Sequence, residues 1–202
     1  MEDPPDWMQP SGAPWKSRAE RTVYENPWIT VQEHQAEAPT GAATVYGVVG
    51  FKNFALAILP IFPDGRIVLV GQHRFPLRDY SWEIPEGGSP IDRDPLEGAQ
   101  RELREEAGLE AGAWRKVLSF QVSNSVSDER GFGFIATDLR EVPAEPDPTE
   151  AFAVVRVPFR EALEQAVAGR MPDLITVAML LRAHHMAVEG ALPEALAKAM
   201  LS

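Results

Sequence analysis

The chain has 202 residues, of which 45% are hydrophobic, with a formal net charge of −11 and no cysteine. That apolar content supports one substantial core, so one folded domain with an N-terminal extension is expected. The acidic balance lacks any basic stripe and argues against a nucleic-acid partner; the absence of thiols excludes disulfides, thiolate nucleophiles and cysteine-based zinc sites and suits a reducing cytoplasm.

The first stretch, "MEDPPDWMQPSGAPWKSRAE", has four prolines and no apolar period. Residues 1–20 read as a flexible extension that is neither a signal nor a transit peptide. "TVYENPWITVQEHQA" and "ATVYGVVGF" then read as strands joined through "APTG". "FALAILPIF" and "RIVLVGQHRF", joined by "PDG" at Pro63 to Gly65, are expected to form a hairpin of buried strands. The first of these runs covers nine residues and contains Pro60, too short and too broken to span a bilayer, so no membrane partner is expected. The four histidines, His34, His73, His184 and His185, have no metal-ligand spacing.

A helix is well marked after Asp94. Asp94 suits the N-cap, Pro95 the first helical position, Glu97 the reciprocal capping position and Gly108 a left-handed stop. Leu96, Ala99, Leu103 and Ala107 fall on one stripe at helical period and must face a core. Glu102 and Glu106 lie four apart along the edge of that stripe, with Glu105 beside them. An acidic solvated face with an Arg101–Glu105 pair accounts for part of this pattern. It does not account for Glu102 and Glu106, because like charges beside an apolar stripe repel unless a cation sits between them. Oxygen-only ligands favour a hard cation, Mg²⁺ or Mn²⁺.

"GGSPIDRDPLEGAQRELREEAGL" resembles the Nudix box, G-x5-E-x7-R-E-U-x-E-E-x-G-U, in which U is bulky and apolar. Gly87, Arg101, Glu102, Leu103, Glu105, Glu106, Gly108 and Leu109 stand at its positions without a gap. One position departs: Arg93 replaces the first glutamate, and Asp92 and Asp94 flank it as candidates to compensate. "LPIFPDGRIVLVGQHRFPLRDYSWEIPEGG" before the box and "TEAFAVVRVPFREALEQAVAGRMPDLITVAMLLRA" after it resemble the ADP-ribose pyrophosphatase branch of the Nudix hydrolases.

The resemblance implies an α/β fold, an α/β/α sandwich of mixed sheet carrying the box as loop, helix and loop. Residues 21–202 would form the Nudix domain, with strands in 21–51 at the interface of a homodimer. It implies a metal-dependent hydrolase of nucleoside diphosphate sugars, ADP-ribose first and GDP-mannose as the alternative, because "SFQVSNSVSDE" lacks the proline that marks many ADP-ribose hydrolases. A catalytically silent sensor of the same fold is the other class. Metal would be held by Glu102, Glu105, Glu106 and the backbone carbonyl of Glu86, whose side chain would be incidental. Gly87, Arg101 and Gly108 would be structural. Arg74 and Lys52 would meet phosphates, Glu83 the terminal sugar, and Trp28 a base, with Trp82 another stacking candidate. Glu150, in the acidic loop "REVPAEPDPTEAF", would serve as catalytic base, with Asp128 and Glu129 as weaker candidates.

Overall fold

The computed structural model describes residues 5–145 and 151–202. The chain separates into two compact units, one ending at Lys52 and taking in Ser123–Asp128, the other formed by Asn53–Val122 and Glu129–Ser202.

The first unit is an antiparallel sheet of β1 (Lys16–Glu25), β2 (Ile29–Glu37) and β3 (Ala43–Phe51), in that order. Strand β1 begins inside the stretch expected to be a flexible extension. Its pairing partners explain the difference: Lys16 and Arg18 both reach Glu37, and Arg21 reaches Glu33, across the β1–β2 ladder. Every residue of β1 is exposed, so the strand has no alternation of apolar and polar residues for a sequence reading to detect. Asn26 closes the β1–β2 turn by accepting from the backbone N–H groups of Trp28 and Ile29 at 2.9 and 2.8 Å. Segment 123–128 borders β3, with Val49 donating to Val126 at 2.8 Å and Phe51 to the Asp128 carboxylate at 2.8 Å.

The second unit contains β4 (Asn53–Pro60), β5 (Arg66–Arg74), β6 (Asp79–Glu83), β7 (Glu86–Pro90), α1 (Pro95–Ala107), β8 (Leu109–Gln121), β9 (Arg130–Glu141), β10 (Ala153–Pro158), α2 (Phe159–Val167), α3 (Leu174–Val188) and α4 (Glu194–Leu201). One sheet has the order β7-β4-β9-β8 and the other β10-β5-β6. The β4–β9 pair is parallel and its neighbours are antiparallel, which makes the sheet mixed.

The expected hairpin of β4 and β5 does not form as a ladder. Gly65 does close a turn onto Phe62, but β4 spends one edge on β7 and the other on β9, while β5 is flanked by β10 and β6. A strand has two edges, and both are taken in each case; an isolated bridge between Ile61 and Ile67 is what joins them.

Alternation along these strands builds two cores. Leu56 and Ile58 of β4 and Val68 of β5 pack with Ala99 and Leu103 of α1. Ala57 and Leu59, with Ile67 and Leu69, pack instead with Phe159, Met179, Leu180 and Met200 from α2, α3 and α4. Helix α1 therefore covers one face and α2 to α4 the other, giving an α/β/α sandwich. Leu103 is fully buried, a burial that contributes about 2 kcal/mol and fixes the rotation of α1. Among the described residues no helix is long and apolar enough to cross a membrane.

Candidate active site

Helix α1 is held at both ends. The Asp94 side chain accepts from the N–H of Leu96, Pro95 occupies the first turn, and Gly108 takes the left-handed conformation at φ 60° and donates back to Arg104. Between these stops, the buried apolar stripe carries Glu102 and Glu106 inward with it, 7% and 4% exposed.

Both carboxylates meet the backbone of β7. Glu106 Oε2 accepts from Glu86 N at 3.0 Å, and Glu102 Oε1 accepts from Gly88 N at 3.2 Å. The match follows from two repeats: four helical residues rise about 6 Å, and two strand residues about 6.6 Å. A carboxylate has roughly four acceptor sites, so one backbone bond leaves acceptor capacity on each side chain. Gly87 lies between the two donors, and a Cβ built on it would stand 2.0 Å from Glu102 Cδ. Only a residue without a side chain lets Glu102 approach.

Arg101 bridges the cluster from its exposed side. It donates to Glu105 and Glu102 at 2.5 Å each and to the Gly88 carbonyl at 2.9 Å. Burial raises the Glu102 pKa above its ordinary value, and Arg101 and the Gly88 N–H only partly offset this.

On the far side of the β6–β7 turn, Arg74 grips the buried Glu83, its Nε 3.0 Å from each carboxylate oxygen and its Nη2 close to Oε2. Burial acts to lower the Arg74 pKa, but Glu83, Glu86 and Glu106 outweigh it and hold the guanidinium above its ordinary value. Arg74 thus lies in the field of Glu106, one of the two buried carboxylates that α1 presents. The Glu86 side chain is not incidental. It is half-buried, its carboxyl accepts from Thr176 Oγ1 at 3.2 Å, and its pKa is pushed well up, first by burial and then by Asp173 and Glu83. Asp173 and Thr176 were not singled out by the sequence. "PDLIT" signals a helix N-cap and nothing more, and Asp173 does accept from Thr176 N at 2.6 Å.

Lys52 and Trp28 belong to the first compact unit, where Lys52 Nζ is 2.7 Å from Glu25 Oε1 and from Asn26 O, and Trp28 is 65% exposed. Asp128 is in that unit too, bonded to Phe51 N. Glu129 immediately precedes β9. Glu150 lies outside the described residues. Trp82 packs against the larger core. Arg93 is exposed and, among the described residues, makes no ion pair with Asp92 or Asp94; Asp94 is occupied as the helix cap.

Among the described residues no three ligand side chains converge into a preformed metal cage. The donor chemistry nevertheless suits a divalent cation, because Glu102 and Glu106 are buried carboxylates one turn apart over a glycine cradle. Arg101 supplies their edge with positive charge.

Residues 52–176 match the NUDIX domain, and residues 15–49 match the nucleoside diphosphate sugar hydrolase N-terminal domain. An ADP-ribose pyrophosphatase of Mycobacterium tuberculosis (strain ATCC 25618 / H37Rv) is 29% identical over 180 residues, covering 87% of this chain and 86% of the relative. An ADP-ribose pyrophosphatase of Bacillus subtilis (strain 168) is 31% identical over 163 residues, covering 80% and 88%. A crystal structure of an ADP compounds hydrolase superposes with a TM-score of 0.80 at 21% identity, covering 91% of this chain and all of that one, which shows the fold. With the domain matched over 52–176 and the box glutamates turned onto β7, the chain belongs to the Nudix hydrolase family.

Proposed function

We propose that this Nudix hydrolase cleaves the diphosphate bond of nucleoside diphosphate sugars, with ADP-ribose the preferred substrate and AMP and ribose 5-phosphate the products. The observation that carries this reading is the pair of buried carboxylates, Glu102 and Glu106, held over the Gly87 cradle. The match of residues 15–49 to the nucleoside diphosphate sugar hydrolase N-terminal domain supports the substrate class.

Nudix hydrolases use divalent metal ions; Mg²⁺ or Mn²⁺ is our assignment here, held by Glu102, Glu105, Glu106 and the Glu86 main-chain oxygen. Such an ion neutralises charge on the diphosphate and acidifies water. The protein's own groups do the rest. Water adds to one phosphorus, the bridging P–O bond breaks, and the leaving phosphate carries the bond's electron pair away. Glu150 is assigned as the base that takes the water's proton. Glu83 engages Nε and Nη2 of Arg74, and a guanidinium carries five donors, so Nη1 is assigned to phosphate. Lys52 and Trp28 are assigned to the second phosphate and the base.

The same proposal makes the protein a cytoplasmic homodimer. In the first unit Ala36 is the one buried apolar side chain among the described residues, while Val23, Tyr24, Trp28 and Val45 are exposed, which offers apolar surface to a second copy. Light scattering should give about twice the chain mass of 22.3 kDa.

The test offers ADP-ribose, GDP-mannose, dinucleoside polyphosphates and nucleoside triphosphates with Mg²⁺ and separates the products. Nucleoside monophosphate plus sugar phosphate, fastest from ADP-ribose, is expected. Preference for GDP-mannose would move the assignment within the class, preferential release of diphosphate from triphosphates would reject it, and binding without cleavage would make the protein a sensor.

A further inference from the structure

The turn between β6 and β7 is tied at every residue. Glu83 is gripped by Arg74, Pro85 O accepts from Ile58 N of β4 at 2.9 Å, and Glu86 N donates to Glu106 on α1. The remaining tie comes from the opposite layer of the sandwich. Thr176, fully buried near the start of α3, accepts from Ile84 N through Oγ1 at 3.0 Å and donates from the same oxygen to Glu86 Oε1 at 3.2 Å. One hydroxyl therefore holds the backbone of Ile84 and the side chain of Glu86 together, two residues apart. Asp173, by accepting from Thr176 N at 2.6 Å, fixes the turn of helix that carries that hydroxyl.

We infer that Thr176 is a positioning residue for the metal site: its hydroxyl sets the segment Ile84–Glu86 against Glu106, so that α3 takes part in forming a site otherwise built from β7 and α1. The inference rests on the reading of Glu86, Glu102 and Glu106 as metal ligands. Its physical basis is that a hydroxyl offers one donor and two acceptor positions, whereas an isosteric Val offers neither and leaves both Ile84 N–H and the Glu86 carboxyl without that partner. Removal of a supporting partner of this kind typically weakens metal binding by 10- to 100-fold.

The experiment compares Thr176→Val, Thr176→Ser and the unaltered protein by calorimetric titration with Mn²⁺ alone, alongside kinetics at saturating metal. Thr176→Val should raise the Mn²⁺ Kd by about tenfold and the metal half-saturation in parallel, with substrate KM at saturating metal changed by less than about twofold. Thr176→Ser, which keeps the hydroxyl and loses the methyl, should bind Mn²⁺ within about twofold of the unaltered protein. Unaltered Mn²⁺ affinity in Thr176→Val, or equal weakening in both variants, would overturn the inference while leaving the hydrolase reading intact. An unaltered protein that binds no Mn²⁺ sinks both. Should Thr176→Val fail to fold, amide exchange of the unaltered protein decides the matter: Mn²⁺ should slow exchange at Ile84 by at least about tenfold, and no slowing overturns the inference.

Discussion

Lys16 and Arg18 converge on Glu37 from a strand that is exposed along its whole length, while Arg101 reaches Glu102 and Glu105 from the rim of a helix whose inner face is buried. The residue types are the same and the consequences differ. In the N-terminal sheet the pairs sit in water, where each ion's attraction is screened and the side chains give up rotamer freedom to meet. In α1 Glu102 and Glu106 are buried, each is oriented by a backbone amide of β7, and Arg101 lies beside Glu102. Burial, rather than the count of opposite charges, separates Glu102 and Glu106 from Glu37.

The sharpest way to break that contrast is Glu106→Gln. It removes one ligand charge while the amide oxygen still accepts from Glu86 N, so turnover should fall by at least about a hundredfold with the circular dichroism spectrum unchanged. Full activity after exhaustive chelation would count equally against the contrast. Gly87→Ala comes next. Its methyl group would collide with the Glu102 carboxylate and displace it, lowering kcat/KM by about thirtyfold; an unimpaired variant would show that the cradle is not needed. Arg93→Glu sharpens the comparison from inside the box. Because position 93 is exposed and makes no ion pair among the described residues, restoring the family residue should change kcat/KM by less than about twofold, and a large gain would reveal a weakened enzyme. The smallest effect belongs to Glu37→Gln. Lys16 and Arg18 hold the Glu37 pKa below its ordinary value of 4.5, so its contribution is present above that value and is lost as pH falls through the lowered one. Thermal melts should therefore show a small deficit for the variant at pH 7 that shrinks as the pH falls below 4.5; a deficit that grows on acidification would reverse the sign.

The box was legible because its signals are local. Asp94, Pro95 and Gly108 act within a turn of their own positions, and the stripe through Ala99 and Leu103 needs only the helical period. The α/β/α layering was implied by the resemblance of the box and its flanks, and the structure builds it by sending alternate residues of β4 to opposite cores. The hairpin of β4 and β5 was misread because its turn is real but its ladder is not: the partner that occupies one edge of β4 is β9, brought in parallel from far along the chain. Thr176 was invisible for the same reason. Its bonds to Ile84 and Glu86 span 92 and 90 residues, and a buried threonine three residues after an N-cap looks like any other. The start of β1 went unseen because a strand exposed on both faces carries no pattern.

The way α1 grips β7 has an evolutionary consequence. Glu102 and Glu106 recognise backbone N–H groups, which every residue but one possesses, so drift in the side chain at position 88 leaves the grip unaltered wherever space allows. Gly87 is constrained by volume, and positions 86 and 88 by something subtler. Proline alone lacks the amide hydrogen, and a single codon change to proline at either place would silence a carboxylate without touching it.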